Sequence, residues 1–156
     1  MKALLCILLL LPLSIQAQFI PPKNLSPYFN AIIVNELDSS LVWYQQVLGF
    51  EVLNSKEFPE MGFKQANLKK GTSSLELIEL NSAISLKETI PNYNSKTKTI
   101  GLFKFGFQVE DFDQWLAYLE STQATIHGRV VNDELTNKRM VIILDPDGNR
   151  IQLFER

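Results

Sequence analysis

The chain has 156 residues, of which 46% are hydrophobic and 21% charged, with 15 basic and 17 acidic side chains and a net charge of −2. This length predicts one domain with a core of its own, and the lack of a basic excess disfavours nucleic acid and anionic lipid as partners. With one His and one Cys, the chain cannot build a zinc finger, a Cys–His nucleophile pair or a metal cage of several histidines.

The first 17 residues have the layout of a secretory signal peptide. Lys2 gives a positive start, residues 3–13 are almost wholly apolar, and a short segment of small and polar residues ends at Ala17. The apolar run is shorter than the roughly 20 residues that span a bilayer. Cleavage after Ala17 would also remove Cys6, leaving neither a disulfide nor a thiol nucleophile. We therefore predict a secreted or periplasmic protein that does not associate with the membrane after signal cleavage.

An extended arm and a first module follow the signal peptide. Three prolines within residues 18–28 predict the extended arm. The first module is predicted over residues 29–80. Its expected elements are a strand over residues 29–34, a helix over 39–48, and strands over 50–54, 63–68 and 74–80. We expect Asp38 to cap the start of the helix and Gly49 to end it.

A polar linker over residues 81–100 leads to a second module over residues 101–156. A connection of this length is unusual unless it contains a short helix or covers a site. The second module repeats the plan, with a strand over residues 102–109, a helix over 114–121, and strands over 125–131, 139–144 and 150–154. We expect Asp113 to cap the helix. The turn Asp-Pro-Asp-Gly-Asn at residues 145–149 joins the last two strands, which explains both aspartates without a catalytic role.

Two matches between the modules indicate an internal duplication. Val-Asn-Glu-Leu-Asp at residues 34–38 corresponds to Val-Glu-Asp-Phe-Asp at residues 109–113, at an offset of 75. Leu-Glu-Leu-Ile-Glu at residues 75–79 corresponds to Ile-Gln-Leu-Phe-Glu at residues 151–155, at an offset of 76. The sequence therefore predicts an α+β protein of two tandem βαβββ modules.

The chain resembles the vicinal oxygen chelate (VOC) superfamily, which includes glyoxalase I, extradiol dioxygenases and bleomycin-resistance proteins. The resemblance lies in three segments: Val-Asn-Glu-Leu-Asp-Ser-Ser-Leu-Val-Trp-Tyr at residues 34–44, Val-Leu-Gly-Phe-Glu-Val at 47–52, and Leu-Asp-Pro-Asp-Gly-Asn-Arg-Ile-Gln-Leu-Phe-Glu at 144–155. It implies a glyoxalase-like fold, in which the two modules form a curved mixed sheet with an open cup for a ligand. Because this fold supports many chemistries and some pure binders, the resemblance says more about fold than about function.

Enzymes of this family hold a divalent metal in the cup, at four positions that the resemblance carries over to this chain. The corresponding residues are Phe29, Glu76, Lys104 and Gln152. Only Glu76 is a good metal donor, and a protonated lysine has no lone pair and repels a cation. We therefore predict no metal and no other cofactor.

The same positions suggest a different kind of site. Because side chains alternate along a strand, Lys104 and Gln108 share one face, as do Arg150 and Gln152 on the last strand. Our hypothesis is that Lys104 replaces the metal, pairs with Glu76 and binds an anionic small molecule with the help of Arg150. An ion pair that merely fills a disused site is an equal alternative. The candidate ligand-binding residues are Phe29, Glu76, Lys104, Gln108, Arg150 and Gln152.

Three functions are compatible with these residues. The first is an exported, metal-free binding protein of the bleomycin-resistance kind. The second is a metal-dependent lyase or dioxygenase of the glyoxalase or dioxygenase type, with a rearranged site that uses Glu76, Gln152 and donors from a second subunit. The third is a metal-free enzyme in which Lys104 is an acid or base. Whether the chain is an enzyme, and whether it closes its own cup or shares one in a homodimer, stays open.

Overall fold

A computed structural model describes residues 26–94 and 100–156. The predicted signal peptide, most of the predicted arm and residues 95–99 of the predicted linker lie outside the described residues. Within the described ranges the longest helix has 12 residues, and none combines the length and apolar character needed to cross a membrane.

The first module has the predicted βαβββ order. Its elements are β1 (Asn30–Val34), α1 (Leu37–Leu48), β2 (Glu51–Phe58), a short 3-10 turn (Pro59–Met61), β3 (Phe63–Lys70) and β4 (Ser73–Leu80). The strands lie in the order β1-β4-β3-β2, with β1 parallel to β4 and the other pairs antiparallel. The strand β2 runs to Phe58 and not to residue 54 as predicted. The polar residues 54–57 do not show the apolar alternation that predicts a strand. They nevertheless pair with β3, and the pairing continues to Phe58 opposite Phe63.

The second module repeats this plan with a more broken sheet. The linker contains α2 (Leu86–Thr89), and the module consists of β5 (Phe105–Val109), α3 (Phe112–Ser121), β6 (Thr125–Ile126), β7 (Val131–Asp133), β8 (Lys138–Leu144) and β9 (Arg150–Glu155). The strands lie in the order β5-β9-β8-β6, and β7 also pairs with β8. The strand predicted over residues 125–131 is therefore two pieces, because Gly128 between them has a φ of 87° that extended backbone does not allow.

The two mixed sheets share one hydrophobic core. Alternate residues of each sheet point towards the helices and are buried there, among them Val34, Leu77, Ile151 and Leu153. The helix α1 contributes Tyr44, Val47 and Leu48 to the core, and α3 contributes Phe112 and Leu119. The predicted α+β architecture of two tandem modules with open sheets is confirmed.

The predicted aspartate caps are wrong, whereas the predicted glycine stop is confirmed. Asp38 and Asp113 lie inside the first helical turns, and no side chain caps α1 or α3 at the N-cap positions. Gly49 ends α1 with a φ of 68°, and its N–H donates to Gln45 O. Only a residue tolerant of positive φ ends a helix in this way without strain.

A carboxylate distant in sequence takes the place of a cap at α1, and ion pairs tie the first turn of α3 to its sheet. In the first module the backbone N–H of Leu37 donates to Glu79 Oε2 at 2.8 Å, and Glu79 also pairs with Lys64 at 2.9 Å. The Leu37 hydrogen bond, followed by the Lys64 ammonium, lowers the pKa of Glu79. In the second module Arg139 joins Asp113 at 2.7 Å and Glu155 at 2.8 Å.

The turn at residues 145–149 fastens the second module to α1. Asp145 accepts hydrogen bonds from the backbone N–H groups of Asp147 and Asn149 and from the side chain of Asn149. It also accepts one from the hydroxyl of Tyr44, at 2.9 Å. Burial raises the pKa of Asp145, against the opposing effect of these donors. The prediction that the turn explains Asp145 is therefore incomplete, because the side chain also joins the modules.

Candidate functional site

The outer face of the second sheet brings together most of the candidate residues. We call the side of each sheet that turns away from the helices and core its cup face. In register, Gln152 lies between Gly106 on β5 and Ile142 on β8, while Ile151 and Leu153 point into the core. The predicted alternation of this strand is therefore confirmed.

Gln152 is a nearly buried polar residue on this face. The residue is 2% exposed, and within the described ranges the side-chain atom that is buried without a hydrogen-bond partner is Ser40 Oγ, not an atom of this amide. A Cβ at Gly106 would lie 2.8 Å from the backbone oxygen of Gln152, so the absence of a side chain there lets β5 approach β9. Because an amide both donates and accepts hydrogen bonds, Gln152 can form a polar contact with a ligand.

Two cations lie at the start of the strands on this face. Lys104 directly precedes β5 and is partly buried, whereas Arg150 begins β9 opposite Leu144. The guanidinium of Arg150 lies over the ring of Phe103, 4.7 Å from its centroid. Neither cation forms an ion pair with a described residue. Gln108, farther along β5, is exposed.

The predicted ion pair between Lys104 and Glu76 is not formed within the described residues. Glu76 lies on the cup face of the first sheet, where it accepts a hydrogen bond from Gln65 Nε2. Gln65 lies on β3 and Glu76 on the adjacent strand β4. In register Gln65 is opposite Ile78, so Glu76 is its diagonal neighbour on the same face. A neighbour within the same sheet therefore satisfies the carboxylate.

Phe29 does not join the other candidates. It precedes β1, is half exposed and contacts the ring of Tyr28, edge to face, at 5.2 Å. The structure thus groups Arg150, Gln152, Gln108 and Lys104 on or beside the second sheet, with Glu76 on the first.

A row of hydrogen-bonded polar side chains, which the sequence did not predict, lies next to Glu76. Asn67 lies opposite Glu76 in register and donates through Nδ2 to Asn54 Oδ1 at 2.8 Å. Gln65 completes the row of hydrogen-bonding side chains. The alternation of Gln65, Ala66 and Asn67 signals a polar face, but the partners of these side chains depend on strand register.

The four metal positions of the fold do not suit a divalent ion in this chain. They offer one carboxylate, one neutral amide, one ammonium and one aromatic ring, and the carboxylate of Glu76 already accepts from Gln65. Within the described ranges, no group of three or more His, Cys, Asp and Glu side chains lies close enough to hold a metal. An ammonium beside the remaining donors would repel the ion.

Two βαβββ modules with open cup faces define the VOC type of fold. The chain belongs to the Glyoxalase/Bleomycin resistance protein/Dioxygenase superfamily, whose family model matches residues 27–153.

The similar proteins include an uncharacterized protein, a metallothiol transferase and a glyoxalase family protein. The chain is 30% identical to the uncharacterized protein YaeR of Escherichia coli over 81% of this chain and 92% of that protein. It is 27% identical to the metallothiol transferase FosB of Staphylococcus epidermidis, over 77% of this chain and 74% of that protein. The crystal structure of a glyoxalase family protein from Enterococcus faecalis is 26% identical and superposes with a TM-score of 0.67, covering 85% of this chain and 98% of that chain.

Proposed function

We propose that this protein binds a small anionic molecule on the cup face of its second sheet, without the divalent metal of related enzymes. The observation that carries the proposal is the pair of cations, Lys104 and Arg150, which lack a carboxylate partner among the described residues. These cations, beside an amide that can donate and accept, form a site for charge-assisted hydrogen bonds to an anion.

The arrangement of these groups favours an anion over a neutral ligand. The ring of Phe103 holds the Arg150 guanidinium in place, which lowers the entropy lost when a ligand binds. The Gln152 amide both donates and accepts, so it can complete the contacts of a carboxylate or phosphate. In this account Glu76 and its hydrogen-bond ladder on the first sheet bind no metal.

A ligand screen by thermal shift tests the proposal. Citrate and phosphate, compared with chloride at equal ionic strength, should stabilise the protein by about 1 kcal/mol near saturation, which raises Tm by about 2–4 °C in a chain of this size. The shift should disappear in Lys104→Met and persist in Lys87→Met, which loses the same charge from the exposed face of α2. A shift that survives in Lys104→Met would contradict the role of this lysine.

A metal enzyme is the second candidate, favoured by the similarity to FosB, which is a metallothiol transferase. In the same screen Mn²⁺, Ni²⁺ and Zn²⁺ are tested alone. Specific stabilisation by one of these ions, abolished in Glu76→Gln, would support the enzyme and argue against the anion binder.

The functional form proposed is a homodimer. Within the described residues β1 and β5 each pair on one side only, and both free edges have exposed apolar neighbours, with Ile33 53% and Leu102 74% exposed. The free edge of β2 differs, because charged residues and a register shift protect it. Light scattering after size exclusion should therefore give twice the chain mass, and Ile33→Lys should shift the protein to the monomer.

Export is part of the proposal and rests on the N-terminal sequence. The intact mass of the protein purified from the cells that naturally produce it should correspond to a chain that begins at Gln18. A mass that includes residues 1–17 would contradict cleavage.

A further inference from the structure

A hollow lies between the two modules, where the end of α1 and the end of β3 face α3. It has a volume of about 360 Å³ and is lined from the first module by Val47, Leu48, Gly49 and Lys70, and from the second by Gln114, Trp115 and Tyr118. We call it the inter-module pocket. Its volume is within the range of about 300–1,000 Å³ typical of small-molecule sites, and it includes none of the cup-face residues.

Among the described residues that line this pocket, Lys70 alone carries a charge, on its ammonium group. It donates to the carbonyl oxygen of Leu48 at 2.6 Å and lies 5.1 Å from the ring centroid of Trp115. No carboxylate of a described residue forms an ion pair with it. An ammonium has three N–H donors and Leu48 accepts one, so donors remain for an anion.

Contacts between the modules hold the walls in place. The hydroxyl of Tyr118 donates to the carbonyl of Gln46 near the end of α1, and the rings of Trp115 and Tyr118 meet edge to face at 5.7 Å. A Cβ at Gly49 would approach Lys70 Nζ to 3.0 Å, so the glycine that ends α1 also makes room for the ammonium. The cation and the aromatic wall are thus positioned before any ligand arrives.

The chemistry of the lining selects one class of ligand. A cation is favoured over an aromatic ring and next to a carbonyl at the end of a helix. In this pocket the ammonium of Lys70 occupies that position, so a cationic ligand is disfavoured. What remains is an apolar and aromatic wall next to an ammonium with free donors. We propose that the inter-module pocket binds a small aromatic carboxylate, with the carboxylate on Lys70 and the ring against Trp115 and Val47.

The test uses the side-chain signals of the two tryptophans, Trp43 and Trp115. In ¹⁵N-labelled protein each gives one indole N–H resonance, which Trp115→Phe assigns. Benzoate should move the Trp115 signal saturably, whereas the Trp43 signal stays in place. Benzyl alcohol, an uncharged molecule of similar shape, should bind at least about tenfold more weakly, because it lacks the charge-assisted hydrogen bond.

Variants then separate this pocket from the cup. Lys70→Met should reduce benzoate affinity to that of benzyl alcohol, whereas Lys69→Met, which removes the same charge one residue away, should leave it unchanged. Lys104→Met should also leave it unchanged, so failure of the cup proposal and failure of this one are distinguishable. Equal binding of benzoate and benzyl alcohol to the unaltered protein would overturn the proposal, even if Lys70→Met does not fold. So would a Trp115 signal that benzoate does not move.

Discussion

The hydrogen bond between Tyr44 and Asp145 gives the sharpest prediction about how the modules are held together. Tyr44 has no exposed surface and Asp145 is 5% exposed, and their side chains meet at 2.9 Å across the module boundary. Replacing Tyr44 by Phe keeps the ring in the core but removes the donor. Asp145 then keeps three of its four donors, those from Asp147 and Asn149.

The expected loss of stability follows from the charge and burial of the acceptor. A hydrogen bond to a charged group contributes roughly 1.5–3 kcal/mol to the free energy of unfolding. Because three other donors still bind Asp145 in Tyr44→Phe, we expect a loss near the lower end of this range, about 1.5–2 kcal/mol. The cost also depends on pH. Burial holds the pKa of Asp145 above its usual value, and loss of the hydroxyl donor raises it further. The loss should therefore be complete above the pKa of Asp145 and shrink as the pH falls through it, because a protonated carboxyl needs the donor less.

Urea unfolding at a series of pH values measures this loss. Tyr118→Phe is the matched control, since it removes a hydroxyl that also joins the modules but lies in an exposed position, and it should cost no more than about 1 kcal/mol. A loss below about 0.5 kcal/mol for Tyr44→Phe, or one of equal size at all pH values, would refute the reasoning.

Three further predictions concern the helix cap, the strand contact and the anion site. Glu79→Gln should lower the free energy of unfolding by up to about 1 kcal/mol at pH 7. Because the folded-state pKa of Glu79 is lowered from 4.5, this difference should vanish as the pH falls through that lower value; a difference that persists in acid would contradict the charge effect. Gly106→Ala should cost about 1–3 kcal/mol in urea unfolding, because the new Cβ meets a backbone oxygen at 2.8 Å; a neutral result would show that β5 and β9 separate easily. Binding of citrate, followed by calorimetry, should weaken as salt is raised, and affinity independent of salt would argue against an ionic contact.

The parts of the fold that depend on local pattern were predictable. Alternation placed Arg150 and Gln152 on one face of the last strand, and the structure agrees, because the intervening Ile151 and the following Leu153 are buried in the core. Gly49 ends α1 because positive φ at a helix terminus is a local requirement that glycine meets.

The parts that depend on contacts distant in sequence were not. Asp38 and Asp113 suit an N-cap by residue type. At α1, however, the first N–H, that of Leu37, donates to Glu79, which lies 42 residues further along the chain. The ion pair between Lys104 and Glu76 was predicted by analogy with a metal site. In the structure Glu76 instead accepts a hydrogen bond from Gln65 on the adjacent strand. Such choices depend on strand register and side-chain reach, which a residue pattern does not encode.

The metal content of the purified protein distinguishes a metal-free anion binder from a metal enzyme. The purified protein is dialysed against Mn²⁺, Ni²⁺ and Zn²⁺ in turn, freed of unbound ions and analysed for metal by elemental analysis. Far less than one ion per chain is expected in every case, because Lys104, Gln152 and Phe29 occupy three of the four positions of the fold's metal site. One tightly held ion per chain, lost in Glu76→Gln, would contradict this expectation.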